Sequence, residues 1–269
     1  MTPTDYERKA ARELRRWQGQ APPGARAGRG ESRALRLLQS AAPMAAVRAA
    51  LTACNHAARR LADQDSVLAR AKLREPAQLR EAELETCDAL ARHVVRRGEW
   101  LAAAGGAALG IAGAPGLAAD IPALLTVAMR TVHRVGACYG ESPAARDAPA
   151  RAMAVFALAA AQSLDEKQAL LALLRADSLE ESGDAHGHTA FHRLAERQLA
   201  KDAASYSLKS FARGLVTQLG RRRLIGALPV LGAAVGAAAN ANYVHELGLT
   251  ARAVFRERWL LARYGELPA

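Results

Sequence analysis

Two long stretches of this chain contain no charged residues and are dotted with glycine. The first runs from Trp100 to Ala119 and the second from Leu224 to Val244. If helical, each stretch is long enough to cross a bilayer, but both consist largely of alanine and glycine, whose side chains supply a weak hydrophobic driving force. The pattern therefore leaves three locations open: within a membrane, on a membrane, or inside a close-packed helical core.

The glycines within these stretches recur four residues apart, as Gly106 and Gly110 in the first and as Gly232 and Gly236 in the second. Small residues at this spacing lie on one face of a helix and let two helix backbones approach closely. The Ala-Pro-Gly sequence at 114–116 is expected to break the first helix. We therefore predict an all-α fold, a multi-helix domain built around two Gly/Ala-rich helical hairpins.

A polar residue marks the end of each stretch: Asp120 directly follows the first, and Asn240 lies near the end of the second. Asp120 precedes Pro122 by two residues, a spacing that predicts a new helix with Asp120 as its N-cap. His133 and His245 follow on apolar helices. Together with Asp120 and Asn240 they form a candidate polar core cluster, although core histidines with a local hydrogen bond are the commoner arrangement.

The N-terminal region predicts a separate short helix. Thr4 is followed three residues later by Glu7, the spacing of a capping box. The segment 19–31 is rich in glycine, proline and arginine, which is typical of a flexible basic linker. We therefore expect an N-terminal helix over 1–18, the linker over 19–31, and a helical domain over 32–266.

The composition narrows the class of partner. Apolar residues make up 51% of the chain but aromatic residues only 4%, so much of the apolar content is alanine, a strong helix former. A net charge of +11 favours an anionic partner, and three classes fit: nucleic acid, acidic lipid and the acidic surface of another protein. Arginines are spread over most helices and aromatic side chains for base stacking are few, so specific nucleic-acid binding is not predicted.

The densest basic cluster is Arg221, Arg222 and Arg223, directly before the second uncharged stretch. Basic residues beside a weakly apolar helix are typical of anionic lipid recognition. We therefore predict that these arginines bind lipid or another anion, and that the partner is an anionic membrane surface or a membrane protein. The oligomeric state does not follow from the sequence.

The cysteines and the N-terminal residues indicate in which cellular compartment the protein is expected. Cys54, Cys87 and Cys138 are far apart and form no CxxC pair, so neither a disulfide framework nor a zinc knuckle is indicated. The first residues mix acidic and basic side chains without an apolar core, which is not the pattern of a secretory signal. A cytoplasmic location is expected, with at most peripheral contact with the inner membrane.

One segment has residues that could bind a metal, namely Asp184, His186, His188 and His192. Imidazoles at such spacing can bind zinc. The alternative is a solvated, turn-rich connection with incidental histidines, because histidine-rich tracts have no fixed geometry. We therefore predict no cofactor, with zinc in this segment as the alternative.

Two motifs resemble the EcsC family. The first is Gly-Gly-x-x-x-Gly-x-x-Gly-x-Pro-Gly-x-x-x-Asp-Ile-Pro from Gly105 to Pro122, followed by Arg130 and by Tyr-Gly at 139–140. The second is Pro-x-x-Gly-x-x-x-Gly-x-x-x-Asn from Pro229 to Asn240. That family is named after a bacterial gene beside the genes of an ABC exporter. The resemblance therefore implies a helical, cytoplasmic or membrane-peripheral protein linked to transport or envelope physiology, with 32–266 as the EcsC-like domain, and it implies no catalytic residues.

Two classes of function remain open. The chain has no nucleophile elbow, P-loop, dinucleotide fingerprint or HExxH motif. Together with the basic clusters, this favours a non-enzymatic, membrane-peripheral accessory protein. The alternative is a hydrolase or metal-dependent enzyme with its site near Asp120 or at 184–192. A concave pocket that joins the polar core cluster would favour the enzyme, whereas a dry core there would count against it.

Overall fold

The computed structural model of this chain describes residues 2–22, 44–75, 77–110, 113–161, 163–180 and 229–269. Within these ranges the chain forms helices and no strand, so the predicted all-α class is confirmed. The helices are α1 (Asp5–Gly19), α2 (Met44–Arg60), α3 (Gln64–Ala71), α4 (Ala77–Glu81), α5 (Leu84–Gly110), α6 (Gly113–Cys138), α7 (Ala148–Ala160), α8 (Leu164–Glu180) and α9 (Pro229–Tyr264).

The long helices α5, α6 and α9 pack on one another at the centre of the described chain. Gly98 of α5 marks a level at which all three touch: a Cβ added there would lie 2.4 Å from Thr131 Oγ1 of α6 and 3.1 Å from Val244 Cγ1 of α9. A larger residue at this level would have to displace the Thr131 and Val244 side chains, so glycine lets the three helices meet here.

The closest approach of two helix backbones lies farther along α5 and joins the two uncharged stretches. A Cβ added to Gly106 would lie 2.6 Å from the carbonyl oxygen of Gly236 in α9, and one added to Gly236 would lie 2.6 Å from that of Gly106. The close packing that the glycine spacing predicts is thus confirmed for this pair. The two hairpins as a whole stay a prediction, because residues 181–228 lie outside the described ranges.

The start of α6 differs from the prediction. The helix begins at Gly113 and continues through Pro122, so Asp120 lies inside it and the N-cap prediction is wrong. Pro115 falls in the first turn, where a missing backbone N–H breaks no helical hydrogen bond. Pro122 removes one such bond, but packing against neighbouring helices, rather than local propensity, supplies most of the stability of a helix in a protein.

Helix α1, which the sequence predicts as a separate short helix, packs into the same core as the other helices. The predicted capping box between Thr4 and Glu7 is confirmed. Ala11 and Leu14 are buried in the common core. The Tyr264 hydroxyl also donates a hydrogen bond to the Glu7 carboxylate at 2.9 Å, which joins α1 to the end of α9. Of the predicted linker, residues 23–31 lie outside the described ranges.

Candidate functional site

Beyond Gly98 the three central helices form an end that carries almost no charge. We define this apolar end as residues 100–110, 113–129 and 229–244. Asp120 is the one charged residue in these segments.

The α5 part of the apolar end is short: from Gly98 to Gly110 the helix rises roughly 18 Å, at about 1.5 Å per residue. In the described part of the chain, no helix combines the length and apolarity needed to cross a membrane.

The surface of the apolar end exposes large apolar side chains. Trp100 is 78% exposed and Leu101 is 42% exposed. Among the side chains of the apolar end that the structure describes, the other exposed ones are uncharged: Ala104, Ala108, Pro122, Ala123, Ala234, Ala238, Ala239 and Asn242. A tryptophan left this open to solvent is typical of a binding surface or of a membrane–water interface. The apolar end is therefore a candidate contact surface.

A basic cavity of about 220 Å³ lies beside the base of the apolar end, between α3, α5 and α6. Its cationic lining consists of Arg70 from α3, Arg97 from α5, and Arg130 and Arg134 from α6. We call this cavity the arginine pocket. Asp63 is the acidic residue among those that line it.

The four arginines of the arginine pocket outnumber its carboxylate. The Asp63 carboxylate is engaged as the N-cap of α3, where it accepts a hydrogen bond from the Ser66 backbone N–H at 3.2 Å. Arg134 donates to the Ser66 hydroxyl at 2.6 Å, and Arg130 donates to the Leu61 carbonyl at 2.7 Å. Considering only described residues, none of the four pocket arginines forms an ion pair, and the buried Nε of Arg134 has no hydrogen-bond partner.

Burial and the neighbouring guanidinium groups together disfavour positive charge in the pocket. Burial, followed by the neighbouring guanidinium of Arg130, lowers the pKa of Arg134, which is 8% exposed, although the charge of Asp63 acts in the opposite direction. Burial also lowers the pKa of His93 in the same lining, and the guanidiniums of Arg70 and Arg97 add to that effect. Both groups are held where a positive charge is disfavoured, so an anion in the pocket would relieve the repulsion.

Other buried arginines in the described chain are, by contrast, matched to carboxylates. Arg256 contacts Asp88, with 2.6 Å between Nη2 and Oδ2. Arg258 donates from Nε to Glu141 at 3.2 Å, and Arg151 is paired with Glu141 as well. The unpaired arginine pocket is therefore an exception to how this protein treats buried positive charge.

Asp88 is a fully buried carboxylate, and both of its oxygens are engaged. It accepts hydrogen bonds from the hydroxyls of Tyr6 at 2.7 Å and Tyr139 at 2.5 Å, and from Arg256 Nε and Nη2 at 3.1 and 2.6 Å. Burial and then the Asp88 charge raise the pKa of Tyr139 well above its usual value. Neither group is free to exchange a proton with a substrate. The Asp88 cluster has a structural role, because it joins α1, α5, α9 and Tyr139, which directly follows α6.

The described side chains of the predicted polar core cluster, those of His133, Asn240 and His245, lie in different surroundings. His133 is buried and contacts Asn55 of α2, with 2.8 Å between Nε2 and Oδ1. His245 is exposed, and its Nδ1 lies 2.7 Å from Glu99 Oε1. Asn240 is buried at the crossing of α5 and α9, where its Nδ2 would lie 2.7 Å from a Cβ on Gly106. The backbone of Asp120 is helical, and its side chain lies outside the description.

Where His133 lines a cavity, the space is only about 10 Å³, enough for about one water molecule. The surroundings of His133 therefore offer no room for a substrate. Its hydrogen bonding also settles its tautomer: Asn55 Nδ2 donates to the Pro149 carbonyl at 2.8 Å, so Asn55 Oδ1 accepts from an N–H on Nε2 of His133. His133 is a core histidine with a local hydrogen bond.

The burial of His133 predicts acid sensitivity. Burial, with a smaller effect from Arg59, lowers the pKa of His133 from 6.5 to about 4. Between those values the unfolded chain binds a proton that the folded chain does not, so stability is complete above about pH 6.5 and falls by about 2 to 3 kcal/mol toward pH 4. Urea unfolding of the wild type and of His133→Gln across this range measures the effect. If both lose stability equally, carboxylates rather than His133 are responsible.

The remaining predicted site residues lie outside the described ranges. They are the basic cluster Arg221, Arg222 and Arg223 and the candidate zinc segment with Asp184, His186, His188 and His192. Within the described ranges, no group of three or more His, Cys, Asp or Glu side chains could hold a metal ion. The three cysteines are free and buried, and burial raises the pKa of Cys87 to about 12, so its thiol is protonated at neutral pH.

Sequence reasoning missed the arginine pocket, although part of its signal is visible. Arg130 and Arg134 stand one helical turn apart, directly after segment 113–129 of the apolar end. Arg97 stands just before segment 100–110. A helical projection would have placed the first two on one face. Arg70 gives no such signal, because it reaches the pocket from a different helix.

Comparison with known proteins gives one family. The model of the EcsC protein family matches residues 8–260, so the match begins within α1. A curated protein of Bacillus subtilis, named Uncharacterized protein YdbA, is 24% identical over 190 residues, which is 70% of this chain and 63% of that relative. The matched part of the chain thus spans less than two thirds of the length of this relative. No solved structure matches.

Proposed function

The chain belongs to the EcsC protein family, and we propose that it is a non-enzymatic, membrane-peripheral accessory protein of a transporter or another envelope process. In this proposal the apolar end enters one leaflet of an anionic membrane. The observation that carries the proposal is the exposure of Trp100 and Leu101 on a surface without charged side chains among the described residues.

The dimensions of the apolar end support partial entry into a bilayer. The hydrocarbon core is about 30 Å thick, so one leaflet contributes about 15 Å. The rise of roughly 18 Å from Gly98 to Gly110 is comparable with that depth. Tryptophan favours the boundary between hydrocarbon and head groups, and Trp100 lies at the start of the apolar end, where that boundary would fall.

The charges beside the apolar end support an anionic leaflet. Arg96 and Arg97 are exposed on α5, within about one helical turn of Trp100. Basic residues close to an anionic membrane each contribute about 1 kcal/mol to binding. A net charge of +11 adds long-range attraction to the same partner.

Removing the exposed tryptophan should weaken membrane binding. For Trp100→Ser we expect the affinity for vesicles of phosphatidylcholine and phosphatidylglycerol to fall about tenfold, because the aromatic ring no longer leaves water on binding. Vesicle flotation over a series of lipid concentrations measures this affinity. Leu101→Ser should show a smaller loss in the same direction.

A matched control is available in Leu164, which is 38% exposed near the start of α8, away from the apolar end. Leu164→Ser removes a similar apolar side chain and should leave flotation unchanged. Equal affinity of the wild type and Trp100→Ser, or an equal loss in Leu164→Ser, would contradict the proposed membrane contact.

A further inference from the structure

We infer that the arginine pocket binds a dianionic phosphate group, either the phosphomonoester head group of a lipid or a small soluble phosphate. The lipid source rests on the proposed membrane contact of the apolar end, whereas phosphate binding itself does not. The inference stands on the charge, the geometry and the size of the pocket.

The donor set of the pocket matches the chemistry of phosphate. Guanidinium groups present planar, paired N–H donors that bind phosphate oxygens with charge-assisted hydrogen bonds. Four such groups line the pocket against one carboxylate, Asp63, which also caps α3, so the positive charges outnumber the negative ones. This excess of positive charge favours a group with two negative charges over a singly charged carboxylate or phosphodiester.

Two of the arginines are held in place before any ligand arrives. Arg134 is fixed by Ser66, whose hydroxyl in turn donates to the Asp63 carbonyl at 3.1 Å. Arg130 is fixed by the Leu61 carbonyl. Donors that are already ordered lose little conformational entropy on binding, so they add affinity. The buried Nε of Arg134 is a donor without a partner, which an anion or its hydrating water would satisfy.

The other two arginines stand at the rim. Arg70 and Arg97 are exposed, so their side chains can close over a bound group from α3 and α5. The inner part of the pocket is therefore ordered by Arg130 and Arg134, whereas Arg70 and Arg97 can move at its opening. This arrangement lets a phosphate group enter from solvent.

The volume of the pocket decides what part of a ligand it can hold. Pockets that enclose a whole organic ligand measure about 300 to 1,000 Å³. The arginine pocket measures about 220 Å³. It suits a phosphate group with a few ordered waters, while the rest of the ligand remains outside.

The position of the pocket connects it to the apolar end. Arg97 lies one turn before Trp100 on α5, and Arg130 directly follows the α6 segment of the apolar end. If the apolar end lies in a leaflet, the pocket is therefore at the depth of the lipid head groups. A phosphomonoester lipid would then contact both surfaces at once, which raises its effective affinity.

The first arm of the test uses soluble phosphate. Isothermal titration calorimetry with glycerol 3-phosphate, at constant ionic strength, should show saturable binding that inorganic phosphate competes away. Arg97→Gln should weaken this binding about tenfold. Arg96→Gln is the matched control, because it removes an equal charge from the neighbouring exposed residue outside the pocket lining, and it should change the affinity less than twofold.

Arg134→Gln should abolish binding, and circular dichroism shows whether this buried variant folds. Because Arg70 and Arg97 are exposed, their glutamine variants keep the test decisive if Arg134→Gln does not fold. Absence of saturable binding of both soluble phosphates and of selectivity for phosphatidic acid overturns the inference. So does equal weakening by Arg96→Gln and Arg97→Gln, or an oligonucleotide that binds independently of Arg97.

The second arm identifies the source of the phosphate. Vesicles of phosphatidylcholine with phosphatidic acid are compared with vesicles of equal surface charge made with oleate, which carries no phosphomonoester. Preference for phosphatidic acid that Arg97→Gln removes supports the lipid source. Binding of glycerol 3-phosphate without that preference supports the pocket and assigns it a soluble ligand. Loss of vesicle binding in Trp100→Ser with intact binding of glycerol 3-phosphate separates the pocket from the membrane contact.

Discussion

Replacing Asp88 by alanine is expected to destabilise the fold by about 3 to 5 kcal/mol. The substitution leaves the buried Arg256 without its closest counter-ion and removes the acceptor of the Tyr6 and Tyr139 hydroxyls. A buried charge that loses its partner keeps its desolvation penalty, so the loss exceeds the net value of the original pair. Urea unfolding followed by circular dichroism measures the difference.

The same arginine supplies a graded control. Glu13 also contacts Arg256, at 3.1 Å, but its side chain is 50% exposed. An exposed ion pair contributes at most about 1 kcal/mol, so Glu13→Gln should have a small effect. The double variant Asp88→Ala with Arg256→Met should recover part of the lost stability, because no unpaired charge remains buried. If Asp88→Ala costs no more than Glu13→Gln, the Asp88 cluster does not hold the helices together.

Replacing Gly106 by leucine is expected to cost more than about 3 kcal/mol or to prevent folding. A Cβ at this position would lie 2.6 Å from the carbonyl oxygen of Gly236, which belongs to the backbone of α9. A side-chain obstacle can rotate away, but a backbone obstacle requires two long helices to move apart along their contact. The free energy of unfolding in urea, or the yield of folded protein, reports the effect.

The neighbouring glycine is the matched control for this prediction. A Cβ on Gly105 meets no atom within 4 Å. Gly105→Leu therefore adds the same side chain to the same helix without a clash, and it should be neutral or slightly stabilising, since leucine favours helix more than glycine does. If both leucine variants lose the same stability, the added side chain itself is harmful and the backbone contact is not the cause.

The outcome for the predicted site residues shows where sequence reasoning stops. Asp120 looks like an N-cap because proline follows it, yet α6 begins at Gly113 and passes through Pro122. His133 and His245 both lie on apolar helices downstream of Asp120 and Asn240, yet one is buried against Asn55 and the other is exposed beside Glu99. In both cases the local pattern is sound, but contacts with other helices decide the result.

The sequence by itself determined the helical class, the capping box of α1 and the close contact between glycine-rich helices. These features depend on residues a few positions apart, whose spacing decides which helix face they share. It also determined that the two stretches carry no charge, which is a property of composition.

Only the tertiary structure decided which charges are neutralised. Asp88 and Arg256 are far apart in the chain but meet in the core, whereas Arg70, Arg97, Arg130 and Arg134 converge around one carboxylate, Asp63, and form no ion pair among the described residues. The net charge of the chain is the same for either arrangement. The difference arises because separate helices bring distant side chains together, and the strength of an electrostatic interaction depends on distance and burial rather than on sequence order.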